Sequence, residues 1–264
     1  MISHRFSREG QKLYYEEYGE GPPIVFIHSY LANRTMWDRE VARFSSTNRV
    51  LAVDLRGHGN SGASAPHTLY DMVDDVIAVL DHANVDDAIW CGLSIGGMIT
   101  LRAAIQYPHR VSKMALLNTD GRSESPSVIA KHKALAVLVR TLGVRPALNP
   151  IMKMMFGVSA HETNPELIQQ WKTELSQVHV PSMMRSLTAL DTRDDVLSAL
   201  RDVHIPALVI HGLEDTAIHH SRGQALANAL PNAEYQLYDQ LGHLSNLERP
   251  SMIQTALASF IEKF

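Results

Sequence analysis

Trp90-Cys91-Gly92-Leu93-Ser94-Ile95-Gly96-Gly97 decides how this chain is read. The apolar run 88–91 that leads into it predicts a strand, and 95–107 keeps a helical pattern until Pro108 stops it. A serine with glycines two positions to either side, between strand and helix, is the turn that lifts a hydroxyl above a sheet edge. Bulky side chains at positions 92 and 96 would collide with neighbouring backbone in so sharp a turn, so glycine is expected at both. The Ile95 amide would then lie near the positive end of the following helix, where a developing oxyanion is stabilised. The strand-turn-helix context separates this string from an ordinary glycine-rich turn.

Working outward, 4–7 and 12–18 predict an opening hairpin through Arg8-Glu9-Gly10-Gln11. The short runs 24–27 and 50–53 are wholly apolar, as in strands buried on both faces, with a helix around 35–44 between them. From Thr68, with Asp71 three residues on as its capping partner, Val73, Val76, Ile77 and Leu80 form one stripe of a helix. Further strands are predicted at 114–118, 207–210 and 235–238, and helices around 222–230 and 251–261. The last of these would bury Ile253, Ala256, Leu257 and Phe260. Alternating strands and helices imply an α/β fold, a mostly parallel twisted sheet flanked by helices. Residues 122–195 break the alternation, with helical patterns, no convincing strand, and Pro146, Pro150, Pro165 and Pro181 as punctuation. They predict a helical cap inserted into a core made of residues 1–121 and 196–264. Met152, Met154, Met155, Phe156, Met183 and Met184 concentrate there. Such adaptable side chains suit either a substrate-facing wall or filling between helices.

Composition bounds the function. A chain of 264 residues, 45% hydrophobic and 20% charged, is ordinary globular material and long enough for one large α/β domain bearing an insertion. A net charge of -4 supplies no general field for nucleic acid or anionic lipid. Nothing approaches the roughly 18 consecutive apolar residues of a membrane span. The single cysteine, Cys91, permits no internal disulfide, and the opening Met1-Ile2-Ser3-His4-Arg5-Phe6 has no apolar signal region, so a cytoplasmic location is expected. At the end of a strand, Cys91 reads as a small buried apolar residue rather than a reactive thiol.

A serine hydroxyl near pH 7 needs a histidine base, itself oriented by a carboxylate. Among 14 histidines, His243 fits best, in the loop Gln240-Leu241-Gly242-His243 between the strand at 235–238 and the final helix. Asp215, in His211-Gly212-Leu213-Glu214-Asp215 after the strand at 207–210, is the matching acid. Both follow the carboxyl ends of strands, where open α/β sheets bind ligands. Glu214 and Asp120 compete for the acid's role. His211, His219 and His220 read as solvated loop histidines. The loop Ile27-His28-Ser29-Tyr30-Leu31 is expected to supply a second oxyanion donor, the Tyr30 amide, with Ser29 beside it. The alternative is a plain turn with the Tyr30 ring packed under the cap. No paired cysteines or His-Glu-x-x-His string suggest a metal.

These residues, with Asp54-Leu55-Arg56-Gly57-His58-Gly59-Asn60-Ser61-Gly62, resemble the α/β-hydrolase family through nearly the whole chain. The resemblance implies Ser94 as nucleophile, Asp215 as acid, His243 as base, and the Tyr30 and Ile95 amides as the oxyanion hole. Ser29 departs from the glycine usual after His28, and its hydroxyl is a candidate substrate contact. The tracts 92–99, 117–119 and 243–248 resemble the branch of 3-oxoadipate enol-lactonases and small carboxylesterases. This likeness implies a cofactor-independent serine hydrolase of small esters or lactones, monomeric or homo-oligomeric. The alternatives are a 3-oxoadipate enol-lactonase of aromatic catabolism, a ligand receptor on a retained triad, and a perhydrolase or haloperoxidase. An anionic lactone would favour a cap cation facing Ser94, drawn from Arg122, Lys131, Lys133, Arg140, Arg145 and Arg185.

Overall fold

Apolar runs without a polar alternation have both faces to bury, and the sheet shows how they do it. The computed structural model describes residues 1–63 and 65–263. Its strands are β1 (Ile2–Arg8), β2 (Gln11–Tyr18), β3 (Pro23–Ile27), β4 (Arg49–Asp54), β5 (Ala88–Leu93), β6 (Val111–Leu117), β7 (Ala207–Gly212) and β8 (Ala233–Tyr238). They form an 8-stranded sheet in the order β1-β2-β4-β3-β5-β6-β7-β8. The opening hairpin pairs β1 with β2, and β2 runs antiparallel to β4; every later pairing is parallel. In β3, Ile24 and Phe26 join the core on one face while Val25 and Ile27 join the core on the other. The first core is closed by α1 (Asp38–Phe44) and α11 (Pro250–Glu262), the second by α2 (Leu69–His82), α3 (Ile95–Gln106) and α9 (His220–Ala229). Thr68 and Asp71 form the capping box of α2, Thr68 N donating to Asp71 Oδ2 at 2.8 Å. Ile253, Ala256, Leu257 and Phe260 are buried from α11, as their spacing predicts.

Between β6 and β7 the described residues form only helices: α4 (Pro126–Leu142), α5 (Leu148–Met155), α6 (Val158–Thr163), α7 (Pro165–Ser176) and α8 (Val180–Asp191), with short 3-10 turns. The two ends of this segment are stitched together. Val196 N donates to Gly121 O at 2.8 Å, and Arg193 donates to Arg122 O and to the Glu124 carboxylate, each at 2.8 Å. The loop 54–62 is a scaffold for the neighbouring site. Arg56 grips Asp75 of α2 with two bonds at 2.5 and 2.7 Å, and Asp54 accepts from the amides of Arg34 and Asn60. A Cβ on Gly59 would stand 2.3 Å from the Asp54 carboxyl, so the loop closes only with glycine there.

Candidate active site

The carboxyl ends of β3, β5, β6, β7 and β8 lie side by side, and each feeds one loop into the same place. Ser94 follows β5 with φ 56° and ψ -116°, a conformation that costs a non-glycine residue about 1–3 kcal/mol. The surroundings impose it. A Cβ on Gly92 would lie 2.3 Å from the Gly96 carbonyl carbon, and one on Gly96 would lie 2.2 Å from Ile27 O. Gly97 is equally confined, 2.6 Å from the Thr119 side chain, which in turn donates through Oγ1 to Ser94 O at 2.7 Å. Ile95 is the first residue of α3, so its amide has no carbonyl a turn back within the helix.

His243 and Asp215 meet: Nδ1–H of His243 donates to Asp215 Oδ2 at 2.9 Å, both side chains buried. The carboxylate is heavily supplied with donors. Asn118 Nδ2 reaches Oδ2 at 2.9 Å, while the amides of Ala217 and Ile218 donate to Oδ1, each at 2.9 Å. Burial works against the charge, but His243 and His211 outweigh it and hold the Asp215 carboxyl well below the usual carboxylate range. Asn118 lies in the tract 117–119 that carries the family likeness, but its role is not legible in the sequence. It follows β6 at φ 47°, a conformation asparagine tolerates, and also donates to Gly242 O at 3.1 Å, tying the acid to the loop of the base. His211 corrects the sequence expectation. It is fully buried, not solvated, and its Nε2 lies 2.8 Å from Ile218 O and 3.3 Å from Asp215 Oδ2. His219 is exposed. The competing acids are engaged elsewhere, Asp120 with Arg222 and Glu214 with Ser159. Among the described residues no hydrogen bond joins Ser94 Oγ to His243; such contacts tighten when substrate enters a ligand-free site.

The loop after β3 is held from inside. His28 accepts from Leu55 N at Nε2 (3.0 Å) and donates from Nδ1 to Ser29 O (2.8 Å), and burial pushes its pKa down to about 4. The imidazole is therefore a neutral clamp between the loops after β3 and β4. Ser29 has no left-handed φ; Leu31, at φ 64°, does. Backbone conformation thus does not demand the glycine usual at position 29. The Ser29 hydroxyl is buried without a hydrogen-bond partner. The Tyr30 ring does reach the helical segment, its hydroxyl donating to Met183 O of α8 at 3.1 Å.

Apolar side chains of that segment pack beside the loop that carries His243. Met152, Met155, Phe156, Met183 and Met184 are buried in the same core as Leu244, and Leu244 N donates to Met155 O at 3.0 Å. A void of about 10 Å³ lies among Tyr30, Met152, Met155, Trp171 and Leu244, room for one water at most. Lys131, Lys133, Arg140 and Arg145 are exposed, and Arg122 and Arg185 half-buried. Cys91 is buried, and burial pushes its thiol well above the ordinary range. No group of three or more His, Cys, Asp or Glu among the described residues is arranged to hold a metal ion. No helix among them is long and apolar enough to cross a membrane.

Known proteins are similar to this chain over nearly its full length. The chain is 29% identical over 255 residues to 3-oxoadipate enol-lactonase 2 of Acinetobacter baylyi, covering 96% of this chain and 94% of that one. The solved enol-lactonase of Burkholderia xenovorans superposes with a TM-score of 0.92 at 29% identity, over 98% of this chain and 100% of that one. A solved N-acyl homoserine lactone degrading enzyme follows with a TM-score of 0.85 at 29% identity, over 97% and 100%. The family model described as the alpha/beta hydrolase fold matches residues 22–250. This chain belongs to the α/β-hydrolase family.

Proposed function

We propose that this hydrolase cleaves small carboxylic esters or lactones through an acyl-enzyme on Ser94. The observation that carries the reading is the buried 2.9 Å bond from His243 Nδ1 to an Asp215 carboxylate kept ionised. That bond fixes the proton on Nδ1 and leaves Nε2 bare, the state a general base requires. His243 would take the Ser94 proton as Oγ attacks the carbonyl, and the Tyr30 and Ile95 amides would hold the oxyanion. The imidazolium would protonate the departing alkoxide, then activate the water that releases the acid. Ser29 would contact substrate through its unpaired hydroxyl. Residues 122–195 would act as a cap whose methionines yield to admit the acyl group. The small-molecule reaction needs no cofactor, and a buried free thiol suits a cytoplasmic setting. Ser94→Ala should abolish ester turnover and labelling by a serine-directed phosphonate while keeping the thermal transition; turnover persisting in a clean preparation would sink the assignment.

Hydrolysis of 3-oxoadipate enol-lactone is the second reading, supported by the curated relative and the solved enol-lactonase. Of the six cap cations Lys131, Lys133, Arg140 and Arg145 are exposed, which leaves the half-buried Arg122 and Arg185 as the candidates to meet an anionic substrate. A panel of acyl esters, uncharged lactones and the enol-lactone, run on wild type and Ser94→Ala, ranks the two by kcat/KM.

A further inference from the structure

The loop that carries His243 meets the helical segment at a close backbone approach. Gly157, between α5 and α6, lies against Gly242: a Cβ on Gly242 would stand 2.1 Å from Gly157 N, and one on Gly157 would stand 3.0 Å from Gly242 N. Peptide groups this close must share acceptors, and two glutamates supply them. Glu248, at the end of α10 (Ser245–Glu248), accepts from Gly242 N at 2.8 Å and from Gly157 N at 3.3 Å, both through Oε2. On the other side Glu214, next in sequence to Asp215, accepts from Ser159 N at 2.8 Å and Ser159 Oγ at 2.6 Å. Leu244 N, just beyond the base, donates to Met155 O at 3.0 Å. The run 155–159 is therefore bonded directly to Leu244 on one side of His243, through the shared Glu248 carboxylate to Gly242 on the other, and to Glu214, the neighbour of Asp215.

We propose that Glu248 is a positioning residue for His243: its carboxylate joins the amides of Gly242 and Gly157, so that one contact seats the base and docks the helical segment over Ser94. The inference rests on the hydrolase reading of the site. Hydrogen bonding alone would not require a carboxylate there, because Oε1 is buried and unpartnered. The charge has a second use. His243 and Asp215 are the ionisable groups whose fields reach Glu248, with Glu214 on the far side of Gly157. When His243 becomes an imidazolium during acylation it would face Asp215 directly and Glu248 across the loop. Burial pushes Glu248 up to about 7, against the Gly242 and Gly157 amides and the His243 charge, which favour the ionised form.

The test compares wild type, Glu248→Ala and Glu248→Gln as full chains, by amide hydrogen exchange and by kcat and KM measured separately. Glu248→Ala should speed exchange roughly tenfold in peptides covering both 155–159 and 241–244, with the sheet strands unchanged. It should also lower kcat roughly ten- to hundredfold through a misplaced base. Glu248→Gln keeps an acceptor oxygen, so it should restore most of the protection and of kcat. Unchanged exchange in either segment of Glu248→Ala overturns the proposal. So does a rise spread evenly over the sheet, or a kcat in Glu248→Gln as low as in Glu248→Ala. Exchange is read without substrate: an intact pattern beside a wild type inert to every ester would sink the hydrolase reading and leave the clasp standing.

Discussion

Asp215→Asn separates the proposed mechanism from its competitors because an amide can satisfy only part of the donor set around that carboxylate. With its NH₂ at the Oδ1 position, the asparagine would face the amides of Ala217 and Ile218, now 2.9 Å away as donors. Two part-buried N–H groups would lose their acceptor, at about 1 kcal/mol or more each. With the NH₂ at the Oδ2 position the Asn118 amide, at 2.9 Å, and His211 Nε2, at 3.3 Å, are left opposed; His211 keeps Ile218 O as its acceptor, and His243 escapes by moving its proton from Nδ1 to Nε2. The second orientation wins, and it disarms the base, since Nε2 then holds the proton it should receive from Ser94. The expected cost is about 2–4 kcal/mol of stability and roughly a 10³–10⁴-fold fall in kcat, as in serine hydrolases whose histidine is trapped in the wrong tautomer. Urea unfolding measures the first and steady-state hydrolysis of a short-chain ester the second, below the temperature at which the variant unfolds. A variant within about tenfold of wild-type kcat would refute the reasoning and return the acid's role to Glu214 or Asp120.

Gly96→Ala places a methyl group 2.2 Å from Ile27 O, a backbone atom that cannot move aside without shifting β3. A loss of about 3 kcal/mol or more is expected by urea unfolding, with kcat falling in whatever fraction folds. Glu40 of α1 is fully buried, and burial lifts its pKa to about 7 against hydrogen bonds from Asn246 and Gln254. The folded state thus holds a proton that the unfolded chain releases near 4.5. Stability from this group is present below that value and is lost as pH rises toward 7, by as much as about 3 kcal/mol. Glu40→Gln should remove that slope, so the stability difference between variant and wild type should grow in the variant's favour from pH 5 to pH 8. Parallel pH dependences would show that Glu40 ionises in the folded protein as it does in the unfolded chain.

Local chemistry decides which parts of this molecule are legible in its sequence. Gly92 and Gly96 are legible because the backbone they must avoid lies within the same turn or in the adjacent parallel strand, a contact that any such elbow repeats. The strand runs are legible because a sheet buried on both faces leaves no polar alternation to confuse with a surface strand. The roles of Asn118, His211 and Glu248 are not legible in this way, although Asn118 and Glu248 lie in tracts that carry the family likeness. Asn118 meets Asp215 97 positions away, and Glu248 meets Gly157 91 positions away; their roles exist only once five strand ends lie side by side. His211 reads as solvated in sequence because it is grouped with His219 and His220, which stand at the start of α9, whereas its own place in β7 is buried. The four residues of α10 are too few to display a helical period, so the element bearing Glu248 leaves no trace in the hydrophobic pattern.

The buried carboxylates around the base differ in a way that composition cannot express. Asp215, Glu40 and Glu248 are all desolvated, and desolvation alone would neutralise each of them. Asp215 escapes because two imidazoles, one side-chain amide and two backbone amides converge on its two oxygens. Glu40 is met by the Asn246 and Gln254 side chains, the first at 3.3 Å, and keeps one oxygen unpartnered with no cation among the described residues paired to it, so burial prevails there. Glu248 stands between them, with two backbone amides on one oxygen and none on the other. A site that must generate an imidazolium needs a permanent negative charge at one fixed distance, and the count of donors assigns that duty to Asp215. The donors divide the work: without His211 the Asp215 pKa would rise while the carboxylate stayed ionised near neutral pH, whereas without Asn118 the acid would lose its tie to the loop that carries His243.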